Sequence, residues 1–214
     1  MWLACAIYAI VALGVGLVIG RKLYFWLAWN LLLAVISLAL SSVALAVHKI
    51  KPVVMGLLLV IWLLFLPNAF YVTTDLVHLS RTSFYTTDGV TFVANYHQNL
   101  GPYVLLLVIF AGAVLGLLAG VASIADIAKL MARKRWSRMA SRWVLVVIFV
   151  LTGFGLYIGR FLRLNSWDVW NPVGFLGVIC ANFDWFTLQI SGLFAIFVAA
   201  AYLFYVKVIR HENV

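Results

Sequence analysis

The chain has 214 residues, 66% of them hydrophobic and 10% charged, with a formal net charge of +9 at pH 7 and a mean hydropathy of +1.13. Soluble globular domains carry roughly 25% charged residues, so this composition excludes a water-soluble catalytic domain. No nucleic-acid module accompanies the positive charge, which excludes nucleic acid as the expected partner. What remains is an all-α fold, a polytopic transmembrane helical bundle.

About 20 helical residues cross the roughly 30 Å of bilayer hydrocarbon. Six segments have that apolar length: 2–20, 23–47, 53–74, 102–125, 143–163 and 185–206. Their connections are short, so residues 1–214 form a single integral-membrane domain. The first segment has no basic leader and no clear small-residue cleavage site, and is expected to stay as a helix. Cys5 and Cys180 lie in apolar surroundings without metal-ligand spacing and are expected to be packing residues.

With the N-terminus in the cytoplasm, ten of the 15 Lys and Arg residues fall inside and five outside. The inside group includes Lys129, Arg133, Lys134, Arg135, Arg138 and Arg142. The positive-inside tendency therefore predicts cytoplasmic N- and C-termini. Trp136 and Trp143 interleave the basic cluster, a composition suited to anionic lipid headgroups.

The third segment runs into LPNAFYVTTDLVHL, residues 66–79. At about 100° per residue, Asn68, Tyr71, Asp75 and His78 fall within a sector of about 80°. Ionisable groups at membrane depth are costly and mark a candidate site. Pro67 lacks an N–H and is expected to kink the helix, aiming the stripe inward, with Asn68 or a water satisfying the freed carbonyl. The connection at 75–101 also carries Arg81, Asp88 and His97. Gly112, Gly116 and Gly120 in the fourth segment, and Gly155 and Gly159 in the fifth, are spaced for close helix packing.

The fifth segment ends in GRFLRLNSWD, residues 159–168. Arg160 and Arg163 suit a guanidinium clamp on a phosphate or carboxylate, or snorkelling to headgroups. Asn165 and Asp168 have capping spacing for the short helix that follows. The stretch 172–181 is apolar but too short to span and reads as a re-entrant or interfacial segment. If 172–190 crossed instead, the last span would shift.

The pair LPNAFYVTTDLVHL and GRFLRLNSWD resembles a bacterial family of multi-pass membrane proteins of unknown function, over roughly residues 25–207. The resemblance implies a location in the bacterial cytoplasmic membrane. It supplies no activity, substrate or catalytic residue. No motif of that family falls on the loop after Arg81, so Asp88 and His97 carry less weight than Asp75 and His78.

Three functions stay open on the sequence. The first is binding or chemistry on an anionic amphiphile at the outer rim. Asn68, Tyr71, Arg81, Arg160, Arg163 and Asn165 would hold the ligand, and Asp75 and His78 would serve as an acid/base pair. Asp168 is a further catalytic candidate, and with Asp75 and His78 it would make at most a sparse metal set, so neither metal nor cofactor is expected. The second is a transporter, for which the other helices offer only Asn30, Ser37, Ser41, Ser42, Ser123 and Thr152 as polar lining. The third is an accessory or structural role, docking a protein partner or a second copy.

Overall fold

The computed structural model describes residues 1–87 and 94–209, so Asp88, Arg210 and Glu212 lie outside the described residues. Seven α-helices follow one another: α1 (Trp2–Ile19), α2 (Lys22–Ala46), α3 (Pro52–Thr74), α4 (Leu100–Arg133), α5 (Arg138–Tyr157), α6 (Pro172–Ala181) and α7 (Trp185–Phe204). All but α6 are long and apolar enough to cross a membrane. A short antiparallel hairpin, β1 (Tyr85–Thr87) and β2 (Ala94–Tyr96), sits between α3 and α4 with Tyr85 opposite Tyr96.

Helix ends follow local chemistry. Pro52 and Pro172 start α3 and α6, where a missing N–H costs nothing. Asn99, Ser137 and Asn171 accept backbone N–H groups at the starts of α4, α5 and α6. Asp184 and Thr187 form a reciprocal capping box at α7. The Thr187 backbone N–H holds the Asp184 carboxyl below the usual carboxylate range. That cap is therefore charged at neutral pH, and its contribution is lost only as pH falls through the lowered value.

Helix α4 runs well past its expected end at residue 125. At 34 residues, α4 is about 50 Å long at 1.5 Å per residue, well beyond the hydrocarbon thickness. Its overhang carries Asp126, Lys129 and Arg133, with Lys129 Nζ 3.0 Å from Asp126 Oδ1 and the Ser42 hydroxyl donating to Asp126 Oδ2 at 3.3 Å. Arg133 donates to the Leu45 carbonyl at 3.0 Å and so closes the end of α2. The helix then stops on Arg135, in the left-handed region at φ 58, while the Trp136 N–H reaches back to the Met131 carbonyl. Helix α6 follows the expectation of a short separate segment: it ends at Ala181 before α7 begins at Trp185, so 172–190 is not one continuous helix.

Helix α4 is the centre of the bundle, with 50% of its apolar window buried against 22% for α1 and for α7. It packs on α1, α2, α3 and α7. Its glycines explain how closely. A Cβ at Gly116 would lie 2.8 Å from the Ala69 carbonyl oxygen and 2.9 Å from Val72 Cβ, and one at Gly120 would meet the Phe70 ring. Gly116 and Gly120 thus pack on the α3 turn that carries Tyr71, while Gly112 packs on Tyr8 of α1. Across the same core the Trp62 indole donates to the Ser123 hydroxyl, which donates to the Ser37 carbonyl, tying α3, α4 and α2 together.

Candidate functional site

The stripe begins on α3 and changes helix type. Thr73 and Thr74 turn their hydroxyls back to the carbonyls of Phe70 and Tyr71, and from Asp75 to Arg81 the backbone tightens into a 3₁₀ helix. With three residues per turn, side chains three apart eclipse. Asp75, His78 and Arg81 therefore stand in one row, whereas an α-helical period would carry Arg81 about 120° round from Asp75. The row grades in exposure: Asp75 is 1% exposed, the His78 side chain 36%, and Arg81 is exposed.

The facing wall comes from the end of α5, which widens into a π-helical turn, Ile158–Leu162, and stops on Arg163 at φ 57, ψ 29. A non-glycine residue in the left-handed region is uncommon, and π turns and such conformations concentrate at functional sites. Arg160, carried on that turn, is divided among three partners. Its Nη1 lies 3.2 Å from the Tyr71 hydroxyl and 3.4 Å from Asp75 Oδ1, and its Nη2 donates to the Thr74 carbonyl at 2.8 Å. The guanidinium also lies over the Tyr71 ring, 5.4 Å from its centroid.

Both Asp75 oxygens are engaged. Oδ2 accepts from the Asn30 amide at 2.9 Å, and Oδ1 faces Arg160 and, at 3.7 Å, His78 Nε2. This is the arrangement a buried carboxylate needs, a charge partner together with hydrogen bonds. Asn30 was legible only as a polar residue of the second segment. A lone amide at membrane depth is itself a signal, but nothing local says which helix it serves.

The loop after Arg163 behaves differently from expectation. Asp168 folds back to accept the Asn165 N–H at 2.6 Å and does not line the site; the pair closes this loop on itself, while the cap of the following helix α6 is Asn171. Asn68 donates to the Phe65 carbonyl at 3.2 Å and to the Ser166 hydroxyl at 2.9 Å, and Ser166 donates to the Leu64 carbonyl at 2.9 Å. Helix α3 continues through Pro67. Instead of covering the Leu63 carbonyl that Pro67 frees, Asn68 ties this turn of α3 to the loop. A Cβ at Gly155 would overlap the Pro67 ring, so α5 closes directly on the proline. His97 belongs to the hairpin base, where its backbone N–H pairs with Phe84 and its ring with Ser83.

Between α2, the 3₁₀ row and the α5 end lies a cleft of about 790 Å³. Asn68, Tyr71, Asp75, His78, Arg81, Arg160, Arg163 and Asn165 all line it, joined by Asn30, Trp26, Trp29 and Trp167. Its one carboxylate is matched by Arg160. Arg81 and Arg163 have no ion pair or side-chain hydrogen bond among the described residues. The cleft is thus electropositive. No three His, Cys, Asp or Glu side chains converge there or elsewhere among the described residues, so the donors present do not fit a multidentate metal centre.

Fold and cleft together define a multi-pass helical membrane protein with a basic, tryptophan-edged recess at one end of its bundle. The chain belongs to the family described as Protein of unknown function (DUF1361), whose model matches residues 29–201. The match takes in both polar motifs and Asn30. No curated protein and no solved structure matches the chain.

Proposed function

We propose that this is a bacterial cytoplasmic-membrane protein whose cleft binds the anionic headgroup of a lipid at the outer leaflet. The observation that carries the reading is the pair of arginines, Arg81 and Arg163, that line the cleft without a partner among the described residues. A guanidinium fork matches the oxygens of a phosphate or carboxylate with two parallel hydrogen bonds. Arg160 takes a different role from that expected of it: divided between Asp75, Tyr71 and Thr74, it builds the cleft floor rather than clamping the ligand.

The test is native mass spectrometry of the solubilised chain titrated with dioctanoyl phosphatidic acid and dioctanoyl phosphatidylcholine. The wild type is expected to prefer the anionic lipid. Arg163→Gln and Arg81→Gln are each expected to weaken that binding about 10- to 100-fold, the equivalent of one charge-assisted hydrogen bond of about 1.5–3 kcal/mol. Equal binding of both lipids, unchanged in both variants, removes the reading.

The orientation proposed is N- and C-termini inside, on the strength of the ten-to-five division of basic residues. In intact cells, Thr86→Cys is expected to react with an impermeant thiol reagent and Arg135→Cys to be protected. The opposite pattern reverses the assignment and moves the cleft to the cytoplasmic side.

A catalytic variant of this reading has one geometric support. His78 lines the cleft 3.7 Å from a buried carboxylate that can orient its ring. In it His78 is the acid/base. Asp75, with both oxygens occupied, is a positioning residue. Transport has less support, because Ser37, Ser41, Ser123 and Thr152 are buried and donate to carbonyls inside the bundle instead of facing a path. The basic surface formed by the last turn of α4 and the first of α5, with exposed Trp136 and Trp143, is proposed to rest on anionic inner-leaflet lipid.

A further inference from the structure

A second cavity, of about 360 Å³, lies between α3, α5 and α6. Its walls are apolar, from side chains such as Leu63, Leu151, Phe154, Leu176 and Ile179. It adjoins the basic cleft: Asn68, Tyr71, Gly159, Leu164 and Asn165 line both. At this boundary Gly159 lets the Tyr71 ring approach, 3.4 Å from where a Cβ would be, with the Leu164 carbonyl oxygen at 3.9 Å. The outer wall is α6, ten residues long with none buried, an element that contributes little to the core and much to the cavity.

We propose that cleft and cavity form one bipartite site for a single membrane amphiphile. Its phosphate or carboxylate head lies on Arg81 and Arg163, and one of its apolar chains crosses the boundary to lie between α3, α5 and α6. This rests on the anion-binding reading above and extends it from a headgroup to a whole ligand. The polarity sequence carries the inference. Cationic groups stand at one end, hydrogen-bonding groups at the boundary and hydrocarbon at the other end, which is the order of head, ester or hydroxyl linkage and chain in an amphiphile. At the boundary the Tyr71 hydroxyl accepts from Arg160, leaving its own proton to donate, and the Asn165 side chain makes no hydrogen bond among the described residues. A free phosphate would use the first third of this order and leave the rest without purpose. The second chain of a diacyl lipid would stay in the bilayer.

The experiment uses the full chain in phosphatidylcholine nanodiscs with two photoreactive probes. Phosphatidic acid and phosphatidylcholine each carry a diazirine at the end of one acyl chain, and crosslinks are mapped by peptide mass spectrometry. The expected result is at least tenfold more labelling by the phosphatidic acid probe, concentrated on 151–164 and 173–179. Leu176→Trp and Ile179→Trp, which fill the cavity from the exposed α6, are expected to reduce labelling at those positions tenfold, while the preference for the anionic probe persists elsewhere on the protein. Arg163→Gln is expected to remove the preference. If the anionic probe is preferred but its crosslinks fall outside the cavity, or persist there in both Trp variants, the bipartite site is wrong and the headgroup reading stands. If neither probe is preferred, the headgroup reading fails and takes this inference with it.

Discussion

Arg160→Ala is expected to lower the stability of the folded protein by about 3–5 kcal/mol, the usual cost of removing one member of a buried ion pair. Three losses coincide. Asp75, 1% exposed, keeps only Asn30 and the more distant His78, the Thr74 carbonyl at the end of α3 loses its donor, and Tyr71 loses the cation over its ring. The measurement is thermal unfolding in detergent followed by size-exclusion chromatography. The double replacement Asp75→Leu with Arg160→Met is expected to recover most of the loss, since it leaves no charge unpaired. A midpoint for Arg160→Ala equal to that of the wild type would mean that the pair is not shielded as the geometry indicates. Two conservative variants separate architecture from function. Asp75→Asn and Arg160→Lys keep most of the shape, so a folded protein that has lost its preference for anionic lipid points to a working site. Loss of folded protein alone points to a structural one.

Gly153→Ala is expected to produce the second large effect, separating α5 from α7. The added Cβ would overlap the Ser191 carbonyl oxygen and sit 2.7 Å from the Ala195 backbone nitrogen. Both obstacles are backbone, so relief requires one helix to move, and overpacking of this kind typically costs about 1–3 kcal/mol. Gly192→Ala is the control on the same helix pair. Nothing lies within 4 Å of its Cβ position, and it is expected to be neutral or to stabilise by about 0.4–1 kcal/mol. Equal melting of the two variants would contradict the contact. Gly155 shows the close packing expected from its spacing, with Pro67 of α3, and Gly159 lies against Tyr71, whereas Gly153, outside that spacing, faces α7.

The sequence by itself determined the six long apolar helices, the non-spanning stretch 172–181 and the two polar motifs. These follow from local rules. A backbone in hydrocarbon must satisfy its own hydrogen bonds, so apolar length becomes helix, and an ionisable residue next to such a length stands out because of its desolvation cost. Tertiary structure decided what those polar groups do. Periodicity at 100° per residue assigns Asp75 and His78 to one face, but only the switch to 3₁₀ winding adds Arg81 to the row. Arg160 and Arg163 are equivalent by residue type. The π turn and the left-handed Arg163 send one guanidinium to Asp75 and leave the other to the cleft. Asn30, 45 residues from Asp75 along the chain, becomes its partner only when α2 packs on α3, and Asp168 is withdrawn because a loop N–H three residues away reaches it first. Partner choice among buried polar groups is settled by which helices touch, at separations that local sequence patterns do not encode.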